Sequence, residues 1–276
     1  DLMTGARASL QLLIVDPQND FMDIPGAALP VPGAREDMRR LAAFIDQASD
    51  RIEGITVTLD SHHSVGIERP AMWKQGDGSA VAPFTQIPAE QVRAGDYLPR
   101  RPQDLSRVLA YLDALETGGR YQLMVWPAHC ETGSWGHNVF DELRQAYNRW
   151  EASAVRPVHK VSKGMNPWTE NYSALQAEVP DDNDPQTQLN TALVAALDEG
   201  DCIVIAGEAS SHCVRATAEH LADHLPSGHL DKLVLLSDCM SPVPGFEAQA
   251  QAFLAGMRER GASVMTSAEF LSRASA

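Results

Sequence analysis

Short unbroken apolar runs alternate along the chain with longer stretches in which apolar positions return every three or four residues. The runs are "QLLIVD" (11–16), "GITVTLD" (54–60), "YQLMVW" (121–126), "PVHKVS" (157–162), "DCIVIA" (201–206) and "KLVLLSD" (232–238), with a shorter one at "ASVMT" (262–266). Runs of β-favouring residues without polar alternation are the pattern of strands buried on both faces. The stretches between them, "REDMRRLAAFIDQAS", "NVFDELRQAYNRW", "TQLNTALVAALDEG", "HCVRATAEHLADHL" and "EAQAQAFLAGMRERG", carry helical periodicity. Gly261 stands where a helix C-terminus favours a residue free to turn left-handed. Strand and helix in alternation predict a three-layer α/β/α fold with a mostly parallel, Rossmann-like sheet of about six strands.

Two stretches break the rhythm. Residues 63–120 separate a pair of strands by far more than a crossover needs; they are rich in Pro and Gly, with one helical piece at "DLSRVLAYLDALE". Residues 177–186, "AEVPDDNDPQ", read as an acidic surface loop. The expectation is a single domain over residues 1–276 with an insertion at about 63–120.

Composition narrows the function. Of 276 residues 44% are hydrophobic and 21% charged, as in soluble globular proteins. The net charge of −15 argues against nucleic acid as a partner, which needs basic patches. No apolar run approaches the ~20 residues of a membrane span. The N-terminal residues show no basic stretch followed by an apolar one, so no secretory leader is expected. Cys130, Cys202, Cys213 and Cys239 are too few for a disulfide framework in a chain this long, and a reducing cytoplasm is the simplest setting.

The chemistry collects at strand ends, where parallel α/β sheets bind ligands. Asp16 ends the first run, Asp60 the second with His62 two positions on. His129 follows the run ending at Trp126, Lys163 follows "HKVS", and Cys213 follows "VIAGEASS". A cysteine opening a helix meets the positive end of the macrodipole, which favours thiolate near neutral pH; read alone, it is more often a packed thiol. A lysine beside it would favour thiolate, and a carboxylate could carry its proton. Asp60 and His62, one residue apart, point the same way, and His129 is a third candidate ligand. Two imidazoles and one carboxylate with open positions suit Zn²⁺, or Fe²⁺ and Mn²⁺. His63 and Glu68 are near enough in sequence to be alternates.

"LLIVDPQNDFMD", "TLDSHH", "VWPAHCETG", "KVSKGMNPWTENYSAL" and "IAGEASSHCVRAT" together resemble the isochorismatase-like cysteine hydrolases, and among them the nicotinamidases, from about residue 10 to 266. The resemblance implies a catalytic Asp16, Lys163 and Cys213, and a divalent metal, Zn²⁺ first, on Asp60, His62 and His129. It implies a cis peptide before Ala209 and an oxyanion hole formed by the backbone N–H groups of Ala209 and Cys213. Phe21 and Trp126 match positions that wall a ring pocket. The implied reaction cleaves a small carboxamide to acid and ammonia through a thioester, with nicotinamide the first candidate. Another small amide or ureido compound on a metal-free site is the alternative, followed by a silent binding protein on the same fold. Family members often form homo-oligomers. The chain departs from the pattern at Glu208, where a small or apolar residue is usual. It departs at Ser211 and His212, where an acidic and an aromatic residue often precede the nucleophile, and at His63, where a proline is common. The insertion is expected to cover the pocket.

Overall fold

The structure, a computed structural model, describes residues 8–274. Its elements in chain order are β1 (Leu10–Val15), α1 (Ala34–Ala48), β2 (Ile52–Asp60), β3 (Trp73–Gln75), β4 (Thr85–Gln86), α2 (Ala89–Arg93), β5 (Tyr97–Pro99), α3 (Leu105–Gly118) and β6 (Met124–Val125). They continue with α4 (Asp141–Ala154), β7 (His159–Lys163), α5 (Thr191–Asp198), β8 (Cys202–Gly207), α6 (Cys213–His224), β9 (Leu233–Leu236), α7 (Glu247–Glu259), β10 (Ser263–Met265) and α8 (Ser267–Ala274). Six strands form one sheet in the order β10-β9-β8-β1-β2-β7, every neighbouring pair parallel. This is the expected α/β/α architecture.

The apolar runs become central strands because helices cover both faces. All of β8 and β9 and nearly all of β1 are buried. Helix α1 buries Met38, Leu41, Ala42 and Ile45, the three-and-four spacing of one face. It packs with α4 and α8, where Phe44 meets Phe270 edge-on at 5.5 Å. Helix α6 packs with α7. Among the described residues no helix is long and apolar enough to cross a membrane.

Two strand expectations change. The run 121–126 is not a strand of the main sheet: β6 spans two residues and pairs antiparallel with β4. Its side chains alternate between two apolar clusters. Met124 and Trp126 join the core around the main sheet, while Leu123 and Val125 join a second cluster with Ile67, Trp73, Ile87 and Leu112. A segment wedged between two cores is apolar at every position and mimics a buried central strand. By contrast, β7 is a sheet edge with His159 and Lys160 exposed, and edge charge discourages pairing with another chain. The insertion carries that second cluster along with α2 and the antiparallel β3–β5 pair, none of which the periodicity indicates.

Candidate active site

The chain steps from β1 towards β2 but from β8 towards β9, so the winding reverses between β1 and β8. Open α/β sheets bind ligands in the crevice at such a reversal. Val15 and Gly207 are register partners there, and each strand continues directly into a chemically capable segment. The close approach needs glycine: a Cβ at Gly207, whose φ is +129°, would run into the backbone oxygen of Val15. One strand over, Asp60 and Lys163 are register partners on β2 and β7. Asp16 has φ +46°, a conformation rare for a residue with a side chain and often found at functional sites.

This geometry brings Asp16, Lys163 and Cys213 together although 197 positions separate the first from the last. Lys163 Nζ lies 2.9 Å from Asp16 Oδ2, as an ion pair rather than an aligned hydrogen bond, and 3.2 Å from Asp60 Oδ1. It donates to the Asn171 carbonyl at 2.9 Å and faces Cys213 Sγ at 3.6 Å. Thr58 Oγ1 donates to Asp16 Oδ1 at 2.6 Å and accepts the Asp16 backbone N–H at 3.0 Å, fixing that carboxylate. All three groups are buried. Burial disfavours the Lys163 ammonium, but the two carboxylates outweigh it and raise its pKa well above the usual value. Burial also raises Asp16, with Lys163 opposing and Asp60 adding to the shift. The Cys213 thiol is pushed well up, first by burial and then by Asp16 and Asp60 against the pull of Lys163. Burial first, and the two carboxylates after it, therefore favour the thiol over the thiolate that a helix N-terminus alone would favour, with Asp16 beside it.

Asp60, His62 and His129 form a second cluster whose ligand atoms all lie within 4.8 Å of one another. Asp60 Oδ2 is 2.8 Å from His62 Nε2 and 3.2 Å from His129 Nε2. His129 Nδ1 donates to the Pro127 carbonyl at 2.7 Å, which leaves the lone pair on Nε2, pointed at a carboxylate. Burial, then the Arg69 cation, holds the His129 pKa down to about 4, so the ring is in its neutral, ligating form. Burial opposes charge on His62 too, but Asp60 overrides it and raises the pKa to about 9. His62 Nδ1 lies 3.3 Å from Glu68 Oε1, an arrangement that orients the ring. One carboxylate and two imidazoles converging this closely make a donor set that fits a divalent metal. Of the alternates, His63 is exposed, and Glu68 stands behind His62.

Beside both clusters opens a cleft of about 400 Å³. Phe21 and Trp126 line it, with Tyr172, Glu170, His212 and Val243 among the remaining walls. Phe21 lies 5.3 Å from the His129 ring, and Trp126 Nε1 donates to Tyr172 Oη at 3.1 Å. No residue of 63–120 lines the cleft, contrary to the expectation of a cover. The insertion acts from behind: Phe84 meets Trp126 edge-on at 6.0 Å, and Tyr111 Oη accepts the Glu170 backbone N–H at 3.0 Å. Glu170 and Tyr172 lie in "TENYSAL", an irregular segment that belongs to a stretch carrying the family resemblance but has no periodicity to mark either residue. The Glu208–Ala209 peptide is cis. The backbone N–H groups of Ala209 and Cys213 have no acceptor among the described residues, while the Ala209 carbonyl accepts from His212 and Val214. Glu208 turns away from the cleft, where Oε2 accepts the Ser241 backbone N–H at 3.1 Å; burial and the nearby Asp37 carboxylate keep it protonated.

The isochorismatase domain matches the chain over residues 11–269. Among solved structures the chain is similar to the yeast nicotinamidase Pnc1p at 23% identity, covering 93% of this chain and 99% of that one with a TM-score of 0.64. It is also similar to the pyrazinamidase of Pyrococcus horikoshii in complex with zinc, at 19% identity, 94% and 99% coverage and a TM-score of 0.55. A third is PnC1 from L. infantum in complex with nicotinate, at 19% identity, 96% and 96% coverage and a TM-score of 0.58. At these identities the likeness is one of fold. No curated protein sequence matches the chain.

Proposed function

We propose that this chain, which belongs to the isochorismatase domain family, is a cysteine amidohydrolase that converts a small aromatic carboxamide, nicotinamide first, to acid and ammonia. The observation that carries the reading is Lys163 Nζ within 3.6 Å of Cys213 Sγ and 2.9 Å of Asp16 Oδ2, with Cys213 at the wall of a cleft lined by Phe21, Trp126 and Tyr172.

Cys213 Sγ attacks the carboxamide carbon while its proton passes to Asp16. The carbonyl electrons move onto oxygen, which the backbone N–H groups of Ala209 and Cys213 hold; such preorganised donors are usually the largest electrostatic contribution. As the C–N bond breaks, Asp16 returns the proton to nitrogen and ammonia leaves. The acyl group remains on sulfur as a thioester. Asp16 then takes a proton from water as the water oxygen attacks the thioester carbon. The C–S bond breaks, the acid departs and the sulfur recovers its proton. Lys163 holds Asp16 in place and opposes the negative charge that moves between carboxylate and sulfur. Phe21, Trp126 and Tyr172 orient the ring. Asp60, His62 and His129 would hold a divalent metal, which when bound supplies a Lewis-acid site for a ring heteroatom.

An ammonia-release screen across nicotinamide, pyrazinamide, ureido acids and aliphatic amides, with and without chelator, tests the reading. Nicotinamide or pyrazinamide should lead, and Cys213→Ala should abolish release while keeping the folded circular-dichroism spectrum. Near-normal turnover by Cys213→Ala would refute it. Metal analysis should find about one equivalent, lost in Asp60→Ala; turnover indifferent to chelator would favour the metal-free alternative.

A further inference from the structure

A second cleft, of about 550 Å³, adjoins the first and shares Tyr172 and His212 with it. Its volume is within the ~300–1,000 Å³ of small-molecule sites. No member of the triad or of the metal cluster lines it. Its charge runs against that of the chain. The chain carries −15, yet this cleft is lined by two arginines, Arg120 just past α3 and Arg215 in the first turn of α6, and by no carboxylate. Both guanidinium groups meet on Tyr121, another of its walls: Arg215 Cζ lies 5.2 Å and Arg120 Cζ 5.7 Å from the centroid of that ring.

Neither cation is used up by its neighbours. Arg215 Nε donates to Glu219 Oε1 at 2.9 Å, but its two terminal nitrogens make no hydrogen bond among the described residues. The carboxylates nearest Arg120, those of Glu178 and Glu219, each stand 3.7 Å away, too far for a hydrogen bond. Arg120 Nη1 meets His220 Nε2 at 2.5 Å, whereas its Nε and Nη2 find no acceptor among the described residues. Burial, ahead of the opposing pull of Arg120, raises the Glu178 pKa to about 7, so near neutral pH that carboxyl offsets the guanidinium only in part.

We propose that this cleft is a binding site for a small aromatic carboxylate, with the acid group on Arg120 and Arg215 and the ring against Tyr121, Met124 and Phe246. A guanidinium presents its donors in a fork that matches the two oxygens of a carboxylate. The aromatic and thioether walls suit a flat apolar body. The reaction proposed above releases an acid of this class, but the site needs only the anion and stands apart from that reading.

Met124 lines this cleft and not the one at Cys213, so its methyl resonance in methionine-labelled, metal-loaded protein reports the site. Titration with benzoate should shift that resonance saturably, and inorganic phosphate at the same concentrations should shift it far less. In Arg215→Gln the benzoate Kd should rise by at least about tenfold, the worth of one charge-assisted hydrogen bond. Gln122→Glu should weaken binding as well: it sets a repelling carboxylate at an exposed wall position and leaves both arginines and the core in place, which covers the case of an Arg215→Gln that folds poorly. A Met124 methyl that does not move, a Kd unchanged in either folded variant, or phosphate acting as strongly as benzoate overturns the proposal.

Discussion

Replacing Lys163 by methionine keeps the chain length and removes the one ammonium shared by Asp16, Asp60 and Cys213. Coulomb's law at the 3.6 Å Nζ–Sγ separation, with an effective dielectric of about 20, gives roughly 4–5 kcal/mol of thiolate stabilisation. If that stabilisation is expressed as sulfur becomes negative, kcat should fall by about three orders of magnitude in ammonia release. Stability gives a second, independent readout. In the wild type Asp60 is held well below its usual range: burial opposes ionisation, but His62 and Lys163 outweigh it. A depressed carboxylate pKa contributes stability above the unfolded value near 3.8, and that contribution is lost as pH falls below it. Asp16 is raised already in the wild type, and losing the ammonium raises it further; Asp60 keeps the pull of His62 but loses that of Lys163, so the variant loses stability more steeply than the wild type as pH rises. The loss in Tm relative to wild type, read by calorimetry on chelated protein, should therefore be larger at pH 8 than at pH 5, and breaking one partner from a buried pair costs about 3–5 kcal/mol at its fullest. A variant within tenfold of wild-type kcat, or one whose Tm deficit does not change with pH, would refute the reasoning.

Glu170, buried near Glu68 and Asp60, has its pKa raised to about 8, first by burial and then by Glu68. A raised carboxyl pKa gives stability that is present below the unfolded value and lost as pH climbs. Urea denaturation of chelated wild type should show stability falling between about pH 5 and 8, by up to roughly 4 kcal/mol from this group, and Glu170→Gln should remove that part of the slope; parallel curves would sink the assignment. Glu208→Gln copies the protonated carboxyl and should leave Tm nearly unchanged, whereas Glu208→Ala strands the Ser241 N–H at about 1–3 kcal/mol. Equal losses in the two variants would show that Glu208 is not held as the neutral acid. Gly207→Ala should cost roughly 3 kcal/mol or more and depress activity with it, because neither Val15 nor the +129° backbone can give way; a wild-type Tm would contradict the packing.

The sheet was readable wherever a strand is covered on both faces, as at β1, β8 and β9, because burial on two sides leaves no polar position. The same rule misread 121–126, where the two covers are separate apolar clusters rather than two helical layers. Residues at strand ends were legible because the fold class itself assigns those ends to ligands, which singled out Asp16, Asp60 and Lys163. Glu170, Tyr172 and Thr58 were not: the first two sit in a loop without periodicity, and Thr58 resembles any buried strand threonine until its hydroxyl is seen on Asp16. The raised thiol pKa of Cys213 was not legible either: a local argument from the helix end includes neither the burial that leads the shift nor Asp16 and Asp60, which reach the sulfur only through the folded sheet.

The position of β1 has a consequence for biosynthesis. It is the first strand of this sheet to be made but lies in the sheet's interior, paired with β2 on one side and β8 on the other. When a nascent chain has released β1, β2 and β7, the two acids and the amine are all outside the ribosome, while the sulfur is still 50 residues from leaving it. Until β8 docks, one long edge of β1 stays open to foreign strands, so the interval of greatest aggregation risk is also the one in which the nascent enzyme has no nucleophile.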